Sequence, residues 1–98
     1  MLGEKIRGLR EAKGLVQREI AAELDVDIAY VSKMETGEKP VSRNHLETLS
    51  RLFGVSEEEL MTLWVADKLY AIARKEPLAL KAMYMVQEEF ALQSVNKK

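Results

Sequence analysis

Between Gln17 and Thr36 the apolar residues are Ile20, Ala21, Leu24, Val26, Val31 and Met34, a set that no single straight helix can place on one side. Two short helices meeting at a corner can. Ile20 and Leu24 lie one turn apart on the first, and Ala21 beside them is small enough for the second to cross closely. Val31 and Met34 are three residues apart on the second and point back at the first. Leu24-Asp25-Val26-Asp27 makes the corner, with Val26 turned inward and Asp27 suited to N-cap the second helix. The pattern leaves that helix with one face anchored and the opposite face free.

The same reading predicts helices on either side. Ile6 and Leu9 share a face of a helix over about residues 3–13, which Gly14 ends. Gly37 opens the loop GEKPVSR, in which Ser42 is a candidate cap for a helix that faces inward through Leu46, Leu49 and Leu52. Gly54 stops that helix. Ser56-Glu57-Glu58-Glu59 is a capping box for a fifth helix that runs without a break to about Lys75. Pro77 is placed at the first position of a sixth helix reaching towards Val95. The fold class is therefore all-α, with a domain over 1–60 and a helical extension over 61–98.

The extension is unusually apolar. From Leu78 to Val95, twelve of eighteen residues are apolar, and Ala79, Met83, Val86 and Phe90 step by four, three and four as a helix seam does. So wide an apolar face needs covering on two sides. The end of the fifth helix, with Trp64, Val65, Leu69, Ile72 and Ala73, can cover one side, and a second copy of the chain the other. This predicts a homodimer built through Trp64, Leu69, Ile72, Met83, Val86 and Phe90; the alternative is a closed helix pair within one chain.

Composition narrows the chemistry. Of 98 residues, 15 are Lys or Arg and 16 Asp or Glu, for a net charge of −1, whereas a nucleic-acid binder is expected to carry a basic patch. Residues 1–54 hold nine of each sign, so a nucleic-acid surface must come from arrangement and not from surplus. There is no cysteine and a single histidine, His45, placed on a helix surface. With no glycine-rich phosphate loop and no spaced ligand set, an enzyme, a metal site, a cofactor or a small-molecule substrate is not expected. The longest strongly apolar run is Leu63-Trp64-Val65-Ala66, far short of a membrane span, which makes a cytoplasmic protein the expectation.

The free face of the helix after the corner carries Ile28, Ala29, Ser32, Lys33 and Thr36, with Tyr30 at its flank. A thymine methyl, a base edge and a phosphate would together account for an isoleucine and a tyrosine there. The alternative is that both pack beneath a neighbouring loop. Lys39 and Arg43, both in the loop, are spaced to flank this helix and neutralise phosphates along one strand, unless they are simply solvated charges. Gln17 opens the first helix of the pair, where unpaired backbone N–H groups favour an anion, or where its amide acts as a local cap.

Residues 3–60, through IRGLREAKGL, Gln17, Ala21, Val31, Met34, METGEKPVS and LETLSRLFGVSEEEL, resemble the five-helix DNA-binding domain of the Cro/repressor family, the unit of the lambdoid phage repressors. The resemblance implies that the helix from Ile28 is a recognition helix for the major groove of double-stranded DNA. It implies that Arg10 pairs with Glu35 to fix the angle of that helix, and it favours a phosphate contact for Gln17. Where the family has glycine in a left-handed conformation this chain has Asp25, which tolerates that conformation at some cost. The expectation is a small prokaryotic or phage transcriptional regulator, reading an inverted repeat as a dimer through Ile28, Ala29, Tyr30, Ser32 and Lys33. Among compact regulators of this kind a restriction-modification controller is preferred to a phage repressor or an antitoxin. A protein-interaction adaptor using the same face is the alternative from another class.

Overall fold

A computed structural model describes residues 1–96. It contains α1 (Leu2–Ala12), α2 (Gln17–Leu24), α3 (Ile28–Thr36), α4 (Leu46–Phe53), α5 (Glu57–Ala73) and α6 (Ala79–Asn96), with a single 3₁₀ turn (Arg43–His45) before α4 and no strand among the described residues. The chain divides into two compact units, residues 1–67 and 68–98, at a point within α5.

The first unit has one core. Ile6, Ile20, Val31, Leu46, Leu49 and Leu60 are fully buried, and Ala21 is buried where α2 packs on α3. Leu9, Val26 and Leu52 are half-buried against this core, while Leu2, Val41, Phe53 and Leu60 join it although the helical pattern had not marked them. α1 and α3 approach so closely that a methyl group at Gly3 would overlap the Met34 carbonyl oxygen and lie 2.8 Å from that of Glu35. Only glycine fits there. Just before Gly3 in the chain, the Leu2 N–H donates to Asp67 Oδ2 (2.9 Å) and the Met1 ammonium to Oδ1 (3.0 Å), placing an anion at the N-terminus of α1.

Several local expectations need correction. Ser42 precedes the 3₁₀ turn and not α4, and it makes no side-chain capping bond. Ser56 Oγ does accept the Glu59 N–H (3.1 Å), but the Glu59 carboxylate pairs with Lys5 (2.8 Å). Pro77 lies in a turn closed by the Ala79 N–H on Glu76 O (3.1 Å), so α6 begins two residues later. His45 is half-buried, with its ring edge-on to Tyr30 (centroids 6.1 Å apart) and Nδ1 buried without a hydrogen-bond partner; it is not a plain surface residue.

The second unit has no buried residue among residues 68–94. Leu69 (59 % exposed), Ile72 (68 %), Val86 (54 %) and Phe90 (72 %) all face solvent. The end of α5 therefore leaves the apolar surface of α6 uncovered. Val95, counted above with the apolar tail, has its side chain outside the described residues. No helix among the described residues is long and apolar enough to cross a membrane.

Candidate nucleic-acid interface

The corner is a left-handed residue. Asp25 has φ 57° and ψ 51°, and it is the one described non-glycine residue with positive φ. Its N–H bonds to Ala22 O (3.3 Å) and the Val26 N–H to Ala21 O (3.0 Å), so the last carbonyls of α2 are satisfied while the chain turns. Asp27 stands at the N-cap of α3, but its carboxylate makes no capping bond. Its carbonyl instead accepts from Tyr30 N–H (3.0 Å) and Val31 N–H (3.3 Å).

α3 is then held from below. Val31, Met34 and Glu35 are buried, and α3 packs on both α1 and α2. Glu35 sits at the junction, its side chain 2 % exposed. Arg10 grips it with two bonds, Nε to Oε2 at 2.7 Å and Nη2 to Oε1 at 3.1 Å, and uses Nη1 on Leu15 O at 2.9 Å. Gln17 Nε2 also donates to Glu35 Oε1, at 3.0 Å. The hydrogen bond to Glu35 holds the Arg10 guanidinium above its already alkaline range, against the opposing effect of its own burial. One carboxylate thus ties α1, α2 and α3 together through charge-assisted bonds.

What this scaffold presents is the opposite face. Ile28, Ala29 and Lys33 are exposed and Ser32 is half-buried, all on α3. Tyr30 stands apart from them: it is half-buried, packs against the core, and its hydroxyl donates to Pro40 O (3.2 Å). Its ring is committed to the loop after α3. That loop folds back through Gly37 (φ 84°) and the Lys39 N–H on Lys33 O (3.1 Å). Val41 fastens it to the core, and its carbonyl accepts the Trp64 indole N–H at 2.7 Å, while the Arg43 guanidinium lies 5.5 Å from the centre of the Trp64 ring. Trp64 is therefore part of the first unit, half-buried under the loop, and not a free element of a dimer seam. A tryptophan reaching back to a carbonyl leaves no trace in hydrophobic periodicity.

Charge is sorted in the way the composition demands. Lys5, Arg7 and Arg10 are each within ion-pair distance of a carboxylate. Among the described residues no carboxylate stands within 4.0 Å of Lys33, Lys39 or Arg43. Arg18, beside Gln17 at the start of α2, is a further exposed cation with no carboxylate within 4.0 Å among the described residues, and no pattern in the sequence marks it. Gln17 itself is half-buried, with its amide nitrogen taken by Glu35. Among the described residues no cluster of His, Asp and Glu could hold a metal ion.

A model of a helix-turn-helix domain matches residues 1–63. The chain belongs to the helix-turn-helix domain family. Known regulators are similar to the chain. The control protein C.BamHI of Bacillus amyloliquefaciens is 32 % identical over 62 residues, covering 62 % of this chain and 76 % of its own. The control protein C.MunI of a Mycoplasma species is 38 % identical over 61 residues, covering 61 % and 82 %. The HTH-type transcriptional activator BcrR of Enterococcus faecalis is 32 % identical over 73 residues, covering 74 % of this chain but 34 % of its own length. No solved structure matches the chain. The helix-turn-helix match ends at residue 63, within α5, and does not include α6.

Proposed function

We propose that this chain, a DNA-binding transcriptional regulator of the helix-turn-helix family, reads an inverted-repeat operator as a homodimer, with α3 of each copy in the major groove. The observation that carries the reading is the pairing of an uncovered α3 face with cations that no carboxylate neutralises. Ile28 and Ala29 suit thymine methyls, Ser32 a base edge and Lys33 a guanine. Lys39 and Arg43, positioned by the pinned loop, neutralise phosphates on one side. At the other side, the start of α2 offers its free N–H groups at Gln17 and the Arg18 side chain to another phosphate. Tyr30, its hydroxyl proton given to Pro40 O, can only accept, so it suits a base amino group and not a phosphate, which has no proton to give.

Two copies are needed because one nine-residue helix makes few contacts; two set about 34 Å apart read successive major grooves. The exposed apolar tail supplies the reason to associate. Similarity to two control proteins, each covered over three quarters of its length or more, makes a restriction-modification controller the preferred circuit over an antitoxin.

The adaptor reading is kept alive by the net charge of −1 and is separated by titrating duplex DNA at two salt concentrations. DNA binding gives a log–log slope of about −0.9 for each phosphate neutralised; an adaptor shows no binding even at low salt. Lys33→Ala then loses about 1–3 kcal/mol at particular base pairs, whereas Lys39→Ala weakens all sequences alike.

A further inference from the structure

The second unit poses a packing problem that the first does not. The large apolar side chains between Leu69 and Leu92 that reach the surface are 46–72 % exposed. At tens of Å² each they leave on the order of 1,000 Å² of apolar surface per chain, against about 800 Å² per partner in a stable interface. That surface is spread round the end of α5 and the whole of α6, with Leu80, Tyr84, Met85 and Leu92 away from the seam, so a contact along the seam takes only part of it.

The order of residues along the seam says which way the copies run. Ala79, Met83, Val86 and Phe90 occupy successive seam positions on α6 and all retain exposure, Ala79 the least. If two α6 helices ran parallel, each layer would hold two identical side chains. Ala79 would face alanine and leave a void, and Phe90 would face phenylalanine and crowd its layer; both faults cost stability. Antiparallel helices place unlike residues in one layer. A two-fold axis midway between Met83 and Val86 sets Ala79 opposite Phe90 of the partner subunit, and Met83 opposite Val86 of the partner subunit. Small then meets large at both ends, and two residues of middling size meet at the centre. Off the seam, Lys81, Gln87, Glu88, Glu89 and Ser94 share the surface of α6 with the apolar Leu80, Tyr84, Met85 and Leu92, and Gln93 takes the next seam position after Phe90.

Resting on the dimeric reading above and deepening it, we infer that α6 pairs with α6 of a second copy in antiparallel orientation, with Ala79 and Phe90 in one layer and Met83 and Val86 in the next. The pairing belongs to the tail alone, so the first unit keeps its own core whether or not two chains are joined.

The chain has no native cysteine, so introduced thiols report without background. In the full-length protein, Ala79→Cys and Phe90→Cys chains mixed and oxidised form the mixed disulfide, while Phe90→Cys alone does not, because its two copies stand about 16 Å apart along the axis at 1.5 Å per residue. A second variant leaves the seam untouched: spin labels on Ser94→Cys are separated by about 30 Å in the antiparallel pair. Efficient Phe90→Cys self-disulfide, or labels at Ser94 within about 15 Å, overturns the orientation and leaves a dimeric DNA reader standing. A single chain in analytical ultracentrifugation at binding concentration overturns both.

Discussion

Arg10→Met should remove most of the stability of the first unit. The substitution keeps the apolar stem but deletes three bonds: the two to Glu35, at 2.7 and 3.1 Å, and the one to Leu15 O, at 2.9 Å. Glu35, its side chain 2 % exposed, keeps one donor, Gln17 at 3.0 Å. Stranding a buried charge in this way costs about 3–5 kcal/mol. The first unit spans 67 residues, for which about 3–10 kcal/mol of total stability is normal, so the loss approaches the whole. Removing the charge together with its partner is a different perturbation. Arg10→Met with Glu35→Met leaves no uncompensated ion and should cost only about 1–2 kcal/mol, chiefly the orphaned Gln17 and Leu15 groups. The assay is urea unfolding followed by Trp64 fluorescence. Trp64 is the sole tryptophan and lies in the first unit, so its fluorescence follows the unfolding of that unit. A single variant that loses less than about 1 kcal/mol, or a double variant weaker than the single, would refute the view that Glu35 depends on Arg10.

Four further outcomes follow from the same contacts. Asp25→Gly relieves a left-handed aspartate (φ 57°) and should stabilise the unit by up to about 1 kcal/mol in the same urea assay. Gly3→Ala drives a methyl into two backbone carbonyls of α3 and should cost about 3 kcal/mol, at the upper end for overpacking, since backbone yields less than a side chain. Trp64→Phe deletes the 2.7 Å bond to Val41 O; circular dichroism should show a loss of about 1 kcal/mol, and DNA binding should weaken with it as Lys39 and Arg43 lose their support. The Arg10 guanidinium is raised by Glu35, so its share of stability is fully present below its unfolded, strongly alkaline pKa and is lost only as pH climbs past the folded one. Unfolding midpoints across neutral pH should show no transition from this group.

The helices were legible because each element carries its own signal. Periodicity exposes Ile20, Leu24, Val31 and Met34, and glycines or Asp25 mark the stops, so the all-helical architecture could be read residue by residue. What escaped was long-range and single. Leu2, Val41 and Leu60 belong to the core as isolated residues near element ends, where no period can reveal them. Gly3 looks like any helical glycine until α3 is laid across it. Trp64 reads as one more apolar residue of α5, but its indole N–H seeks a carbonyl 23 residues back, and this decides which unit it serves. The free face of α3 could be laid out from the corner, yet Tyr30 sits at its flank, and only the loop shows that its hydroxyl is spent on Pro40. Pro77 was placed at the start of α6 by its known preference for that position. It also suits the second position of a turn, and here the turn prevails.

The most direct measurement of the central claim is selection of duplexes from a random pool by the full-length chain at low salt, with stoichiometry read by analytical ultracentrifugation. The account predicts enrichment of an inverted repeat whose half-sites are centred about 10 base pairs apart, bound by two chains and lost with Lys33→Ala. Recovery of no preferred sequence, or of a lone half-site held by one chain, would contradict it.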